Sequence, residues 1–232
     1  MIKALTGAVA AAIAMKQINP DVVPVYPITP QTEIGEKYSK YIADNLVDSE
    51  MIYVESEHSA MSACIGASAA GARTITATSS QGFALMWEML SIASGLRLPI
   101  IMHVVNRALS GPINIHCDHS DSMGGRDLGW IQIYSENAQE VYDNTILAQK
   151  LSETAKLPVM IMQDGFVTSH ALQEVNILDD KKVSSFIGNF KKDFPLLNVD
   201  EPVTYGPLQL QNYFFETKKQ QAEAIKKSKL LY

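Results

Sequence analysis

Short apolar runs alternate with helix-patterned segments as far as about residue 165. Runs such as "DVVPVYPI" (21–28) and "PIIMHVVN" (99–106) are apolar almost throughout, which is typical of strands that a sheet buries on both faces. The segments between them carry apolar residues at helical spacing. Because parallel strands need crossover connections, this order predicts an α/β fold with a parallel sheet and helices on both faces.

The same pattern predicts where each element lies. The alanine-rich stretch after Lys3 is expected to form a buried helix rather than a signal peptide, since alanine is the best helix former. Residues 108–128 are expected to form a polar loop, and the alternation is lost over 166–207. Strands are predicted at 21–28, 51–56, 73–79, 99–106, 130–135 and 158–165, and helices at 30–45, 57–71, 81–96 and 137–154.

The chain is expected to contain two units. Residues 1–207 form one α/β domain in this interpretation, and residues 208–232 form a C-terminal amphipathic helix with a basic end. Such a helix is expected to begin a second domain that is missing from this chain or lies on a separate one. A truncated chain, an incomplete reading frame and a split subunit all remain open.

The net charge and the number of cysteines argue against several classes of function. The net charge of −6 argues against binding to nucleic acid or to an anionic membrane surface. No apolar run reaches the roughly 18 residues that a membrane-spanning helix needs. Cys64 and Cys117 are the two cysteines of the chain, too few for an iron–sulfur cluster, which usually takes four thiolates. This content suits a reducing cytoplasm.

Polar residues follow several of the predicted strands, and ligands of open parallel sheets bind at the carboxyl ends of the strands. In "VYPITPQTE" (25–33), Pro27 and Pro30 fix their own φ angles. Thr29 is then predicted to cap the next helix, with Pro30 at its first position. The free N–H groups there and the Thr29 hydroxyl could hold a carboxylate, and a plain capping role is the alternative.

Two charged residues lie directly after other predicted strands. Glu57 follows the strand "MIYVES" and begins a helix rich in alanine, serine and glycine. It is either a surface carboxylate favoured by the helix dipole or a partly buried one that exchanges a proton with a ligand nitrogen. Arg107 directly follows "PIIMHVVN", and it is either a surface charge or a clamp for a carboxylate.

Other polar residues are assigned structural roles. The segment "HCDHSDS" (116–122) carries two histidines and two aspartates, yet neither helical His spacing nor paired cysteines accompany them. A hydrogen-bonded loop without a metal ion is therefore predicted. His103 lies within a strand and is expected to be a core histidine with its hydrogen bonds satisfied. The chain has neither the GxxxxGK[ST] nor the GxGxxG nucleotide signature.

Taken in order, six junction motifs resemble one family. They are "YPITPQT", "ESEHSA", "SSQGF", "HVVNRAL", "DHSD" and "QDGFVTSH", and the similarity extends from about Thr6 to about Leu172. Together they look like the N-terminal domain of the α subunit of 2-oxoacid:ferredoxin oxidoreductases, above all those that act on pyruvate. The resemblance implies the pyrimidine-binding fold of a thiamine diphosphate enzyme for residues 1–207.

The resemblance also implies roles for three residues. Glu57 would hydrogen-bond the aminopyrimidine ring of thiamine diphosphate and promote its imino tautomer. Thr29 would bind the oxo or carboxylate oxygens of the 2-oxoacid, and Arg107 would pair with its carboxylate. The reaction implied is the oxidative decarboxylation of pyruvate to acetyl-CoA and CO₂, with coenzyme A as co-substrate and ferredoxin as electron acceptor.

Partners follow from the same resemblance. A β subunit would carry the diphosphate and Mg²⁺ site, because the chain has no GDG motif followed by a fitting Asn. A ferredoxin-like subunit would carry the iron–sulfur clusters, and a γ subunit would complete the assembly. This chain is expected to be active only in that complex.

The chain departs from the family motif at one position, and three alternative functions remain open. Family members commonly read "TGNxA" near the start, whereas this chain has Ala8 in place of that Asn, which puts a hydrogen bond at the site in doubt. The acid could instead be 2-oxoglutarate or a branched-chain 2-oxoacid. The third alternative is a non-catalytic binding module that retains the fold.

Overall fold

The computed structural model describes residues 1–230, so the last two residues of the predicted tail helix lie outside the described part of the chain. The strands are β1 (Ile2–Leu5), β2 (Val22–Val25), β3 (Glu50–Tyr53), β4 (Thr74–Thr78), β5 (Ile100–Asn106), β6 (Ile131–Ser135), β7 (Val159–Asp164) and β8 (Gln173–Asn176). The helices are α1 (Gly7–Ile18), α2 (Thr32–Ala43), α3 (Glu57–Ala70), α4 (Ser80–Leu85), α5 (Trp87–Gly95), α6 (Ser120–Gly124), α7 (Ala138–Ala155), α8 (Asp180–Ile187) and α9 (Gln211–Ser228), with a 3₁₀ turn at Gly125–Asp127.

Six of these strands form a parallel sheet in the order β3-β2-β4-β5-β7-β6. Every residue of the central strand β5 is buried. Its Ile101 and Val105 join a core cluster with residues of α1, α2 and α7, whereas Met102 and Val104 join another with α3, α4 and α5. Helices therefore cover both faces, and the predicted parallel α/β fold is confirmed.

Local sequence sets the ends of several helices. The Ser56 hydroxyl accepts a hydrogen bond from the Ser59 N–H (3.2 Å) and starts α3 at Glu57, as predicted. Gly71 ends the same helix with φ of 109°, a conformation that only glycine adopts without strain. Asn137 caps α7 in the same way as Ser56 caps α3. The Ser56 cap places Glu57, the first residue of α3, at the carboxyl edge of the sheet.

The start of α2 differs from the prediction. The Gln31 N–H donates to the Ile28 carbonyl (2.8 Å), which makes Thr29 and Pro30 the centre of a turn. Gln31 takes the cap position, and its carbonyl accepts from the Ile34 N–H (2.9 Å). The prediction that Thr29 caps this helix is therefore wrong, because the turn comes between Thr29 and the first helical residue.

Other elements were not predicted. Strand β1 pairs antiparallel with β8, from Ile2 opposite Asn176 to Leu5 opposite Gln173, and both are too short for a clear periodic pattern. The predicted helix 81–96 is divided at Met86 into α4 and α5. Helix α8 forms within the segment 166–207, and α6 within the predicted loop. These elements are short, and tertiary contacts decide whether such segments fold.

The tail helix α9 lies within the predicted range 208–232 and packs against α5 and α7. Its Gln221 is buried, and the Gln220 carbonyl accepts from Arg97 Nη1 at 3.5 Å. The division of the chain at residue 207 stays a prediction. Among residues 1–230, the structure contains no helix with the length and apolar character needed to cross a membrane.

Candidate active site

The carboxyl ends of β2, β4, β5 and β7 meet at one edge of the sheet, and the three predicted site residues lie there. Arg107 directly follows β5, and its Nη1 donates to the Thr29 carbonyl at 2.6 Å. The Glu57 carboxylate is close enough to Arg107 to act on its charge. Parallel pairing of neighbouring strands therefore brings together residues that are up to 78 positions apart in the chain.

Glu57 is a buried carboxylate. Its residue is 6% exposed although it stands in the first turn of α3, so it is not the surface residue that one alternative assumed. Helix α4 approaches it closely: a Cβ atom added at Gly82 would lie 2.6 Å from Glu57 Oε1 and 2.5 Å from Thr78 Oγ1. The start of α3 favours negative charge there, and glycine at position 82 leaves the carboxylate its space.

Arg107 is also buried, at 8% exposure. Its Nη2 donates to Gln81 Oε1 at 2.9 Å, and its Nε has no hydrogen-bond partner among the described residues. Burial lowers the pKa of Arg107, while the carboxylates of Asp121 and Glu57 raise it, and the guanidinium stays charged. A buried cation with free N–H donors is suited to bind a carboxylate.

Thr29 contacts Arg107 through its backbone. Its residue is exposed, and its backbone carbonyl, rather than its hydroxyl, contacts Arg107. The turn at Ile28–Gln31 fixes this carbonyl at the edge of the sheet. The predicted contact between the Thr29 hydroxyl and a ligand stays a prediction.

Asp121 is an anchor of the site that the sequence analysis did not identify. This residue is 1% exposed, and its Oδ2 accepts from the backbone N–H of Ser80 (3.0 Å) and of Arg107 (3.1 Å). Its Oδ1 accepts from Asn106 Nδ2 at 2.8 Å. Ser80 has a φ of 46°, a strained value for a residue with a side chain. Asp121 thus ties the ends of β4 and β5 together, a role that only the quoted motif "DHSD" hinted at.

The residues around Glu57 fit the pyrimidine half of thiamine diphosphate. Thr78 Oγ1 and Ser79 Oγ are buried and have no hydrogen-bond partner among residues 1–230. Thr78 Oγ1 and Glu57 Oε1 both lie within 2.6 Å of the point where a Gly82 Cβ would stand. Unsatisfied buried polar atoms are costly, and an aminopyrimidine offers the donors and acceptors that they lack.

Ala8, where the family commonly has Asn, lies at the start of α1. It is fully buried, and its N–H donates to the Ser169 carbonyl at 3.1 Å. The side chain of Gln163 at the end of β7 lies against the same helix start, and its amide has no partner among the described residues. The loss of a hydrogen bond at position 8 stays a prediction.

A cavity in the surface of the chain lies away from the polar residues of this edge. A cavity of about 410 Å³ lies at the opposite, amino end of the strands, where its walls include Leu96, Pro99 and Lys156. The site edge is instead open and bordered by exposed apolar side chains, among them Leu85 and Trp87. The buried polar groups and not the cavity mark the candidate site, because the charges that can act on a ligand lie at the carboxyl edge of the sheet.

Comparison with known proteins agrees with this geometry. Residues 13–231 match the family described as pyruvate flavodoxin/ferredoxin oxidoreductase, thiamine diphosphate-binding. Pyruvate synthase subunit PorA of Thermotoga maritima is 57% identical over 231 residues, which cover 99% of this chain and 59% of that protein. Ketoisovalerate oxidoreductase subunit VorA of Pyrococcus furiosus is 47% identical over 227 residues, which cover 98% of this chain and 58% of that one.

A solved structure has the same fold. It is the 2-oxoglutarate:ferredoxin oxidoreductase from Magnetococcus marinus with 2-oxoglutarate, coenzyme A and succinyl-CoA bound, with a TM-score of 0.85 and 18% sequence identity. The match covers 100% of this chain and 46% of that one. This chain spans less than two thirds of the length of these relatives. The resemblance seen in the motifs is confirmed: the chain belongs to the thiamine diphosphate-binding pyruvate flavodoxin/ferredoxin oxidoreductase family.

Proposed function

We propose that the chain provides the pyrimidine-binding half of the active site of a 2-oxoacid:ferredoxin oxidoreductase, with pyruvate as the substrate. The observation that carries this proposal is the buried Glu57 carboxylate beside the buried Arg107 guanidinium at the carboxyl edge of the sheet. The complex would convert pyruvate and coenzyme A to acetyl-CoA and CO₂ and pass the electrons to ferredoxin.

Each residue has a separate task in this reaction. Thiamine diphosphate, when bound, supplies the nucleophilic carbon for the decarboxylation of a 2-oxoacid. Glu57 hydrogen-bonds a ring nitrogen of the aminopyrimidine and holds a proton there, which its buried position at the helix start permits. Arg107 binds the carboxylate of the 2-oxoacid through the N–H donors that Thr29 and Gln81 leave free. The exposed Thr29 hydroxyl donates to an oxygen of the same acid.

The site is completed by other subunits in this proposal. A β subunit supplies the diphosphate and Mg²⁺ site, a ferredoxin-like subunit supplies the iron–sulfur clusters, and a γ subunit completes the cytoplasmic complex. The exposed apolar side chains at the site edge, Leu85, Trp87 and Met123, support an interface there. Apolar surface beside buried charges is suited to a partner that excludes water from the reaction.

The proposal that the 2-oxoacid is pyruvate is supported by similarity to pyruvate synthase subunits. Pyruvate synthase subunits of Thermotoga maritima and Methanocaldococcus jannaschii are 57% and 52% identical to the chain. The alternative is a branched-chain 2-oxoacid, because a ketoisovalerate oxidoreductase subunit at 47% identity is as similar as other pyruvate synthase subunits at 45–46%. Arg107 and Thr29 recognise the 2-oxocarboxylate that all these acids share, so they do not discriminate among them. A non-catalytic module would have no need of the buried Glu57 and Arg107 pair.

The test is a substrate panel on the assembled enzyme. The chain is co-purified anaerobically with the products of its neighbouring genes, and viologen reduction is measured with coenzyme A and each acid in turn. We expect the highest kcat/KM with pyruvate, well above that with 2-oxoglutarate or 3-methyl-2-oxobutanoate. A higher kcat/KM with the branched acid selects the alternative. No reduction with any acid, in a complex that contains clusters and thiamine diphosphate, contradicts the proposal.

A further inference from the structure

Three side chains with metal-binding atoms cluster beside the candidate active site. The Cys117 thiol, the His119 imidazole and the Asp164 carboxylate each offer one atom, and these atoms all lie within 4.8 Å of one another. His119 Nε2 and Asp164 Oδ1 are 2.8 Å apart. We propose that these three side chains bind one divalent transition-metal ion, and that Zn²⁺ is the best-fitting ion.

The distances suit such an ion after small adjustments. With bonds of about 2.0 Å to nitrogen and oxygen and about 2.3 Å to sulfur, the ligand atoms of a tetrahedral zinc site lie roughly 3.3–3.6 Å apart. The separation of 2.8 Å between His119 and Asp164 is below that range and the other two are at most 4.8 Å, so displacements of about 1 Å bring the three atoms into place. Cys117 lies between β5 and α6, in a segment without helix or strand that can adjust by this amount.

Two of the three ligands are held in position. Asp164 ends β7 directly opposite Asn106, and the next residue, Gly165, donates its N–H to the Asn106 carbonyl at 3.1 Å. The His119 ring packs against the Tyr134 ring, with 5.2 Å between their centroids. The side chains of His119 and Asp164 are 41% and 38% exposed, so an ion can reach them from solvent.

The set of donor atoms selects the class of ion. Sulfur, nitrogen and one carboxylate oxygen favour Zn²⁺ or Co²⁺, whereas Mg²⁺ and Ca²⁺ require mostly oxygen ligands. Three protein ligands leave a fourth position for water or a small ligand. The ion binds the thiolate, so the Cys117 proton passes to solvent on binding and no electron is transferred.

A cysteine nucleophile explains the cluster less well. Burial and the neighbouring Asp164 carboxylate raise the pKa of the Cys117 thiol to about 12, so the thiol stays protonated near neutral pH. The negative charge of Asp164 that opposes a thiolate is the charge that attracts a cation. The same carboxylate lies against both the thiol and His119 Nε2, which is the arrangement that one shared cation would occupy.

The positions of these three residues in the sequence did not indicate a metal site. The segment "HCDHSDS" was predicted to be a hydrogen-bonded loop without a metal, and His119 and Asp118 do form hydrogen bonds in this structure. The third ligand, Asp164, comes from β7, 45 positions from His119. In the metal-bound form the hydrogen bond between His119 and Asp164 gives way to two metal–ligand bonds.

Co²⁺ tests the proposal on the full chain, because its spectrum reports thiolate ligation directly. The reduced, metal-free chain is titrated anaerobically with Co²⁺. We expect saturation at one equivalent, a near-ultraviolet thiolate-to-cobalt charge-transfer band, and visible bands of a four-coordinate ion that Zn²⁺ abolishes. This readout is independent of the proposed function, in which the three side chains have no role.

Variants assign the ligands. Cys117→Ser should remove the charge-transfer band, and His119→Asn and Asp164→Asn should each weaken Co²⁺ binding on the order of tenfold or more. His116→Asn is the matched control, since this ring lies on Phe166 outside the cluster, and its Co²⁺ affinity should match that of the wild type. Absence of the band in the wild type overturns the proposal. So does a band that survives Cys117→Ser, or wild-type affinity in His119→Asn, whose side chain is partly exposed.

Discussion

At the scale of single residues, the site depends on charges held away from water. Arg107 shows how this is done: its guanidinium is fixed by the Thr29 carbonyl and by Gln81 Oε1, and its backbone N–H is fixed by Asp121. A planar guanidinium can make these contacts and still present free donors to a carboxylate. A lysine ammonium at the same position has three donors on one atom and cannot reach all of these partners.

Arg107→Lys should therefore impair use of the 2-oxoacid while it preserves the charge. We expect the KM for pyruvate to rise by about tenfold or more, which is about 1.4 kcal/mol of lost binding, because the paired N–H donors are lost. The KM for coenzyme A should not change. Steady-state viologen reduction by the complex measures both constants. Arg126→Lys, on an exposed side chain, is the control, and an unaltered pyruvate KM in Arg107→Lys refutes the clamp.

His103 is a second buried group with consequences for stability. The residue was expected to be a satisfied core histidine, and it is 0% exposed, but neither ring nitrogen has a partner among the described residues. Burial lowers its pKa from 6.5 to about 4. Between these two values the unfolded chain binds a proton at this position and the folded chain does not, so His103 makes the protein less stable as the pH falls from 6.5 to 4.

His103→Leu should remove this part of the pH dependence. The shift corresponds to a contribution on the order of 3 kcal/mol across that interval. We expect the free energy of unfolding, measured by urea denaturation from pH 7 to pH 4, to fall less steeply in the variant than in the wild type. His58→Leu, at a partly exposed residue, is the control for the loss of a histidine. Parallel curves for wild type and His103→Leu contradict this assignment.

At the scale of elements, the close approach of α4 to α3 shapes the space around Glu57. Gly82→Ala should destabilise the chain by about 1–3 kcal/mol, because the added Cβ would lie 2.6 Å from Glu57 Oε1 and 2.5 Å from Thr78 Oγ1. Gly95→Ala, in α5, meets no atom within 4 Å and should stabilise by up to about 1 kcal/mol, since alanine favours helix. Urea unfolding of both variants gives the comparison, and equal stabilities contradict the packing argument.

The same elements show what the sequence could predict. The buried strand β5 and the helix α3 were located because an apolar run, a run of small residues and the terminal Gly71 act locally. Glu57 and Arg107 were singled out because both directly follow strands whose ends meet. Asp121 could not be found in this way, since the fold and not the sequence spacing brings it to Ser80, Asn106 and Arg107. The turn at Ile28–Gln31 was mistaken for a helix start because proline at 30 suits either conformation.

At the scale of the whole molecule, the proposed function makes this chain one half of an active site. Glu57 and Arg107 are buried at an edge of the sheet that exposed apolar side chains border. Two chains that meet at such an edge can exclude water and strengthen the electrostatic interactions between them. The central claim is therefore that Glu57 acts in a site that is completed by a partner.

Replacement of Glu57 by glutamine in the assembled complex tests this claim most directly. Glutamine keeps the size of the side chain and removes its charge, so assembly and thiamine diphosphate content should stay intact. Glu55→Gln is the matched control, two residues earlier on an exposed side chain whose carboxylate accepts from the Ser59 hydroxyl at 2.7 Å. We predict that Glu57→Gln lowers pyruvate-dependent viologen reduction by about 100-fold or more, whereas Glu55→Gln retains the wild-type rate. A wild-type rate in Glu57→Gln would contradict the account.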